Sequence, residues 1–178
     1  MATPEHSPLD RTQFEQVVAE YADRLYSIAL RITASPPDAE DAVQEAFESA
    51  YRHLGQYRGE AEPRTWLYRI TVNAALRRLR DRPPHEYLDE LPETAEPPQD
   101  WVGRTRDPAV AAELREQLET ALYDLGPDLR AAVILRDVEG LSAREAAQVL
   151  EIGEAALKSR LHRARVLLRQ ALADYLSS

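Results

Sequence analysis

The stretch SAREAAQVLEIGEAALKSRLHRARVLLR, residues 142–169, predicts two helices joined by a tight turn. Ser142 and Glu145 have the spacing of a capping box, in which the hydroxyl and the carboxylate each accept a free backbone N–H at a helix start. After Glu151, Ile152 and Gly153, apolar residues recur every three or four positions. The second helix is therefore expected to bury one face.

The opposite face of this second helix is basic and hydroxylic. Its residues are Lys158, Ser159, Arg160, His162, Arg163 and Arg165. A helix-turn-helix presents such a face to the major groove of DNA. The alternative is an ordinary helical hairpin with a solvated basic face, because helical hairpins occur in many unrelated proteins.

Charge is distributed unevenly along the 178 residues, whose net charge is −9. Residues 64–82 hold 6 basic and 1 acidic groups, and residues 155–178 hold 5 and 1. Two basic segments thus lie in an acidic chain, and local charge decides what a surface binds. The acidic residues outside these two segments should weaken DNA binding by the chain alone. This charge pattern favours a protein that needs a partner to hold it on DNA.

Composition favours a helical protein of the cytoplasm. Glycine is scarce, with 6 residues, whereas Ala, Leu, Glu and Arg are abundant. The sequence contains no cysteine, which excludes disulfides and thiolate metal sites. No apolar run approaches the roughly 18 residues of a membrane span, and the N-terminus lacks a signal pattern. We expect no membrane insertion.

The N-terminal half predicts three helices. An apolar stripe runs from Phe14 to about Ile32, and Ser35-Pro36 begins a second helix that ends near Leu54. The first turns of that helix hold Asp38, Asp41, Gln44 and Glu45. The acidic residues among them either suit the helix dipole or form, with Gln44, a docking face for a basic partner.

The third helix, from about Arg64 to Arg82, follows a loop marked by Gly55, Gly59 and Pro63. Its polar side chains can hydrogen-bond to base edges and phosphates, and they include Arg69, Asn73, Arg77, Arg78 and Arg80. Trp66 and Tyr68 either pack in the core or help to receive an unstacked base.

Proline and acidic residues dominate 83–106, where no helical or strand period survives. We interpret this segment as a flexible linker, which could extend to roughly 80 Å. Beyond it, Asp107-Pro108 begins the first of four helices in a C-terminal domain spanning 107–176. These include a predicted helix from Asp128 to Val138.

Catalysis has little support. His6, His53, His85 and His162 lack the spacing of metal ligands, and no phosphate-binding loop or nucleophile motif occurs. We expect neither an enzyme nor a cofactor or metal.

Two separated stretches resemble the extracytoplasmic-function (ECF) sigma factors, the small two-domain class of the bacterial sigma-70 family. They are DAEDAVQEAFESAYRHLGQYRGEAEPRTWLYRITVNAALRRLR, residues 38–80, and LRDVEGLSAREAAQVLEIGEAALKSRLHRARVLLRQAL, residues 135–172. RTWLYRI with VNAAL, and LKSRLHRAR, are far more specific than a lone helix-turn-helix. The resemblance implies an all-α fold of a region 2 three-helix bundle (10–82) and a region 4 domain (107–176).

The resemblance also implies a transcription initiation factor that brings RNA polymerase to promoters and helps to open them. Asp38, Asp41, Gln44 and Glu45 on the acidic helix would dock on the clamp helices of the largest polymerase subunit, and region 4 would meet the flap of the second. The −10 element would be met by Gly59, Arg64, Trp66, Arg69, Asn73, Arg77, Arg78 and Arg80. The −35 element would be met by the basic face of residues 158–165.

The family further implies an anti-sigma factor and a linker that threads the RNA-exit path, although the linker could equally be a solvated tether. The interpretation requires arginines that are not occupied by the chain's own acids. Two other functions fit the residues less well. A stand-alone helix-turn-helix regulator would bind DNA specifically without polymerase, and a helical adaptor would bind only proteins.

Glu151 departs from the family pattern, which has Gly at this position of the turn. A non-Gly residue in the left-handed region costs roughly 1 kcal/mol. Either Glu151 bears this strain or the turn shifts towards Gly153. Ala155-Ala156-Leu157 likewise replaces the usual Gly-Thr-Val, so one hydroxyl contact to phosphate is missing at the −35 element.

We predict that Glu151→Gly leaves the fold intact and slightly raises the melting temperature, because glycine enters the left-handed region without strain. Thermal denaturation followed by circular dichroism measures the change. Gln148→Gly, within the preceding helix, is the matched control and should lower the melting temperature. A clear drop for Glu151→Gly would mean that another residue makes the turn.

Overall fold

The computed structural model of the chain describes residues 11–57, 62–83 and 108–176. Every regular element in these ranges is helical, as the sequence predicts. The N-terminal domain holds α1 (Arg11–Thr33), α2 (Pro36–Arg52), a 3₁₀ turn (Leu54–Gln56) and α3 (Pro63–Arg80). The C-terminal domain holds α4 (Pro108–Asp124), α5 (Pro127–Val133), a π-helical turn (Ile134–Val138), α6 (Ala143–Val149) and α7 (Glu154–Leu176).

The N-terminal helices pack closely because α2 buries only small side chains. Ala39, Ala42, Ala46 and Ala50 follow one face of α2 and are fully buried. Alanines at this spacing allow the backbones of α1 and α3 to approach. Ser35 caps α2 as predicted, since its side chain accepts the backbone N–H of Asp38.

Ion pairs tie the C-terminal end of α3 to acidic residues of α2. Arg77 Nη2 lies 2.7 Å from Glu45 Oε1, and Arg78 Nη1 lies 3.1 Å from Asp41 Oδ2. Arg82, just after α3, bonds Asp38. These pairs fix the position of α3 along α2.

The C-terminal domain contains the predicted helix-turn-helix, formed by α6 and α7. Its capping box is present: Ser142 N donates to Glu145 Oε2 at 2.8 Å, and Glu145 N donates to Ser142 Oγ at 3.2 Å. Glu151 has a φ of 55°, and Gly153 is not left-handed. The turn therefore keeps its register, and Glu151 bears the strain.

The predicted helix over 128–138 is interrupted. From Ile134 onward, each backbone hydrogen bond joins residues five positions apart in place of four. Glu139 N, for example, donates to Ile134 O at 2.9 Å. Gly140, with a φ of 70°, then ends the segment. The extra residue sets the directions of Asp137 and Glu139, which bond other helices.

The two domains share one apolar core and do not stand apart. Buried residues of α1 and α3 form a continuous cluster with those of α5, α6 and α7. Arg130 of α5 is only 2% exposed and donates to Ile32 O of α1 at 2.6 Å, as well as to Tyr123 O and Leu125 O at the end of α4.

Residues 84–107 lie outside the described residues, so the predicted linker beyond Pro83 and the Asp107 cap do as well. Among the helices that the structure describes, none is both long enough and apolar enough to cross a membrane.

We predict that Arg130→Met lowers the free energy of unfolding by about 3 kcal/mol, because it leaves three buried or half-buried carbonyls without a charged donor. Denaturant titration followed by circular dichroism measures the loss. The exposed Arg115 of α4, changed to Met, serves as the control and should cost less than about 0.5 kcal/mol. A loss from Arg130→Met as small as the control's would contradict its structural role.

A second prediction concerns acid. The hydrogen bond from Arg82 holds the pKa of Asp38 below its usual value. Because the folded pKa is the lower one, Asp38 stabilises the fold fully above the unfolded pKa of about 3.9, and this contribution disappears as the pH falls through the folded pKa.

Wild type should therefore exceed Asp38→Asn in stability at neutral pH, and the difference should shrink below about pH 4. Denaturant titrations at several pH values measure it. The exposed Glu119→Gln on α4, which also replaces one carboxylate by an amide, is the control variant. A constant difference for Asp38→Asn would argue against the Arg82 bond.

Candidate nucleic-acid interface

Some of the α3 residues predicted to contact the −10 element are exposed and others are buried. Asn73, Arg77 and Arg80 are exposed, and Asn73 and Arg77 lie one helical turn apart. Trp66 is only 8% exposed and packs on Tyr57 with a ring-centroid distance of 5.0 Å. The sequence left Trp66 and Tyr68 either in the core or in contact with an unstacked base. In this structure both side chains are buried in the core.

Gly59 and residues 58–61 around it lie outside the described residues. Arg69 is half-buried on α3, and Arg64 lies at the start of the helix. The polar side chains of Arg64, Asn73, Arg77, Arg78 and Arg80 are together called the α3 polar face below. Asn73, Arg77 and Arg80 lie on one side of α3 at helical spacing, whereas Arg64 and Arg78 leave the helix from other sides.

Carboxylates of the chain occupy much of the α3 polar face. Arg77 and Arg78 bond the acids of α2, and the C-terminal domain covers two further residues. Arg64 Nη2 lies 2.6 Å from Glu145 Oε1 of α6, and Asn73 Nδ2 donates to Glu151 Oε2 at 3.1 Å. The expectation that these arginines stay clear of the chain's own acids is wrong for this conformation, because α2 and α6 bring carboxylates against them.

Glu145 keeps a negative charge at this contact. Hydrogen bonds from Ser142, and then the Arg64 guanidinium, hold the pKa of Glu145 below its usual value. The Glu145 carboxylate therefore caps the start of α6 and also accepts a hydrogen bond from the Arg64 guanidinium of the N-terminal domain. The capping box was visible in the sequence, but the contact with Arg64, 81 residues away, was not.

Helix α7 displays its predicted −35 residues more openly. Lys158, Ser159, His162 and Arg163 are exposed and follow one face of the helix at helical spacing. Arg160 Nη2 lies 3.3 Å from Asp128 Oδ2, and Arg165 forms two bonds to Asp137, of 2.6 and 3.0 Å. The hydrogen bonds that Arg165 donates to Asp137 raise the pKa of Arg165. These acids orient two arginines and leave the other four groups accessible.

The residues predicted to dock on polymerase lie in the first half of α2. Gln44 is exposed and donates to Glu48 Oε1 at 3.1 Å, whereas Asp38, Asp41 and Glu45 are the partners of the arginines in and after α3. The docking face and the α3 polar face therefore meet along one edge of the N-terminal domain.

A cavity of about 400 Å³ opens between the domains beside Asn73. Arg77, Arg80 and Arg160 line it together with Asp128 and Glu151. The arrangement can bind anionic or polar groups. Within the described ranges, no group of three or more His, Asp or Glu side chains is placed to hold a metal ion.

Sequence reasoning missed the contacts that join the domains. Glu139 Oε2 accepts from Arg24 Nε at 2.6 Å, and Glu139 Oε1 accepts from Arg31 Nη1 at 3.5 Å. Arg130 was the one readable signal, because a guanidinium flanked by Leu129, Ala131 and Ala132 needs buried acceptors. Nothing in the pattern indicated which acceptors these would be.

Comparison with known proteins matches both domains. Residues 17–83 match the family model of sigma-70 region 2, and residues 115–168 match that of sigma-70 region 4. The chain is 34% identical over 174 residues to the RNA polymerase sigma-H factor of Pseudomonas aeruginosa, which covers 92% of this chain and 88% of that protein.

It is also 31% identical over 172 residues to the ECF sigma factor SigW of Bacillus subtilis, with 93% and 91% of the two chains covered. The solved structure of CnrH in complex with the cytosolic domain of CnrY has a TM-score of 0.67 and 25% identity, covering 93% of this chain and 90% of that one. Two family regions in the right order, on an all-helical fold with a helix-turn-helix, establish that the chain belongs to the extracytoplasmic-function sigma factors of the sigma-70 family, non-enzymatic factors of transcription initiation.

Proposed function

We propose that this sigma factor places core RNA polymerase on a promoter through two helical surfaces, with α7 at the −35 element and α3 at the −10 element. The observation that carries the proposal is the exposed row of Lys158, Ser159, His162 and Arg163 on the second helix of the helix-turn-helix. Cationic and hydroxyl groups in such a row suit base edges and phosphates of the major groove. Arg160 and Arg165, oriented by Asp128 and Asp137, would complete the contact.

At the −10 element we assign the α3 polar face, with Asn73 and Arg77 at its centre. An amide and a guanidinium one turn apart can bind adjacent nucleotides. Arg69 and Gly59 would support a base that leaves the stack, and Trp66, packed on Tyr57, would hold α3 in place beside it. Opening requires no catalysis, because binding energy offsets the few kcal/mol of unstacking and a pocket holds the flipped base.

Asp38, Asp41, Gln44 and Glu45 are proposed to dock on the clamp helices of the largest polymerase subunit, and region 4 on the flap of the second. The acidic start of α2, exposed in part, supports this assignment. We further propose domain limits of 10–82 and 107–176, a linker of 83–106 along the RNA-exit path, and a cytoplasmic location. An anti-sigma factor is an expected partner, since the similar fold of the sigma factor RpoE from Bartonella quintana was solved in complex with the anti-sigma factor NepR.

Transcription in vitro with core polymerase on a library of promoter fragments tests the function directly. Specific start sites that require this chain are the expected result. A gel shift without polymerase separates the alternatives, because a stand-alone regulator would bind specific DNA alone. Insensitivity of any weak DNA binding to salt would favour a protein-binding adaptor instead.

We predict that Asn73→Ala together with Arg77→Ala lowers initiation from duplex promoters at least about tenfold, because each base or phosphate contact contributes about 1–3 kcal/mol. Polymerase binding, measured by co-elution with core enzyme, should persist. The exposed Arg115→Ala on α4 is the control for loss of a surface arginine. Initiation at the wild-type level in the double variant would remove the −10 assignment.

A further inference from the structure

The cleft between the two domains is lined by cationic side chains from both of them. The cavity beside Asn73 has a volume of about 400 Å³. Its guanidinium groups come from Arg77 and Arg80 of α3 and from Arg160 of α7. Small molecules usually bind in clefts of roughly 300–1,000 Å³, often where two domains meet. Guanidinium groups around such a cavity favour a ligand that carries phosphate groups.

The arginines of this cleft keep hydrogen-bond donors available for a ligand. Arg80 has no ion-pair partner in the part of the chain that the structure describes. Arg160 Nη2 lies 3.3 Å from Asp128 Oδ2, farther than the roughly 2.7–2.9 Å of a strong charge-assisted hydrogen bond. Arg77 is paired with Glu45, but its side chain is still 58% exposed. An added anion could therefore bond all of these guanidinium groups.

The other lining residues suit the sugar and the base of a nucleotide. Asp128 and Glu151 also line the cleft, so among the described lining side chains the arginines outnumber the carboxylates by one. Carboxylates repel a bare polyanion, but they accept hydrogen bonds from ribose hydroxyls. Leu76 and Leu150 add apolar contacts for a base, and the amide of Asn73 adds a hydrogen-bonding group.

We propose that this cleft is a binding site for a free nucleoside phosphate, with the phosphates on the arginines and the ribose hydroxyls on Asp128 and Glu151. The ligand would contact α3 and α7 together, so binding requires side chains from both domains. Binding is measured without DNA or polymerase, so the result does not depend on the function proposed above.

Isothermal titration calorimetry of the full chain measures binding of ADP, GDP, CDP and UDP, each titrated separately. At least one of these diphosphates should bind 1:1 with a dissociation constant below about 1 mM. Pyrophosphate and the matching nucleoside each carry only part of the ligand. Each should therefore bind at least about tenfold more weakly than that diphosphate. Equal affinity for pyrophosphate would overturn the assignment to a nucleotide.

Arg80→Gln and Arg160→Gln each remove one guanidinium group, from different domains, and each should lower the affinity at least about tenfold. The exposed Arg115→Gln on α4 removes the same charge outside the cleft and should change the affinity less than about twofold. Circular dichroism confirms that each variant is folded. A loss of affinity limited to Arg80→Gln would overturn a site shared by both domains.

Asp128→Asn tests the role of the carboxylates separately. Removal of this negative charge strengthens the binding of any phosphate group, whereas an amide oxygen accepts a weaker hydrogen bond from a ribose hydroxyl. The ratio of diphosphate affinity to pyrophosphate affinity should therefore fall at least about threefold. An unchanged or higher ratio would overturn the proposal, as would the absence of binding by all four diphosphates.

Discussion

Guanidinium groups in contact with the rest of the fold need hydrogen-bond acceptors, and this acidic chain, with a net charge of −9, supplies many of them as carboxylates. On α3, the acids of α2 hold Arg77 and Arg78, and Glu145 holds Arg64. On α5, backbone carbonyls at the ends of α1 and α4 take the same role for the buried Arg130. The packing of α3 on α2, and of one domain on the other, follows from these pairings together with the shared apolar core.

Local features of the sequence predicted the elements well. The capping box at Ser142, the Ser35 cap and the apolar period each depend on residues within one or two turns, so they can be read without knowledge of the fold. The same holds for the exposed row on α7, because the apolar stripe fixes which side faces outward. For the turn between α6 and α7, the sequence left Glu151 or Gly153 as the left-handed residue. The φ of 55° shows that it is Glu151.

Contacts distant in sequence could not be predicted in the same way. The sequence suggested two separate domains on a tether, whereas α3 packs against α6 and α1 against the π-helical turn. Among 31 acids, pattern alone does not identify Glu139 or Glu145 as the partners of Arg24 and Arg64. The position of Trp66 was ambiguous for a related reason, because an aromatic side chain beside a loop can either pack in the core or stack on a base. Its contact with Tyr57 places it in the core.

The π-helical turn at Ile134–Val138 holds one residue more than a regular helix needs. Each residue of an α-helix advances by about 100° around the axis, so removal of this extra residue would rotate whatever follows by roughly that angle. Asp137 would then leave Arg165, and Glu139 would leave Arg24 and Arg31, in a single event. A one-residue deletion here would regularise the helix locally, yet it would also misalign Arg165 on α7 and break the contacts of Glu139 with the N-terminal domain.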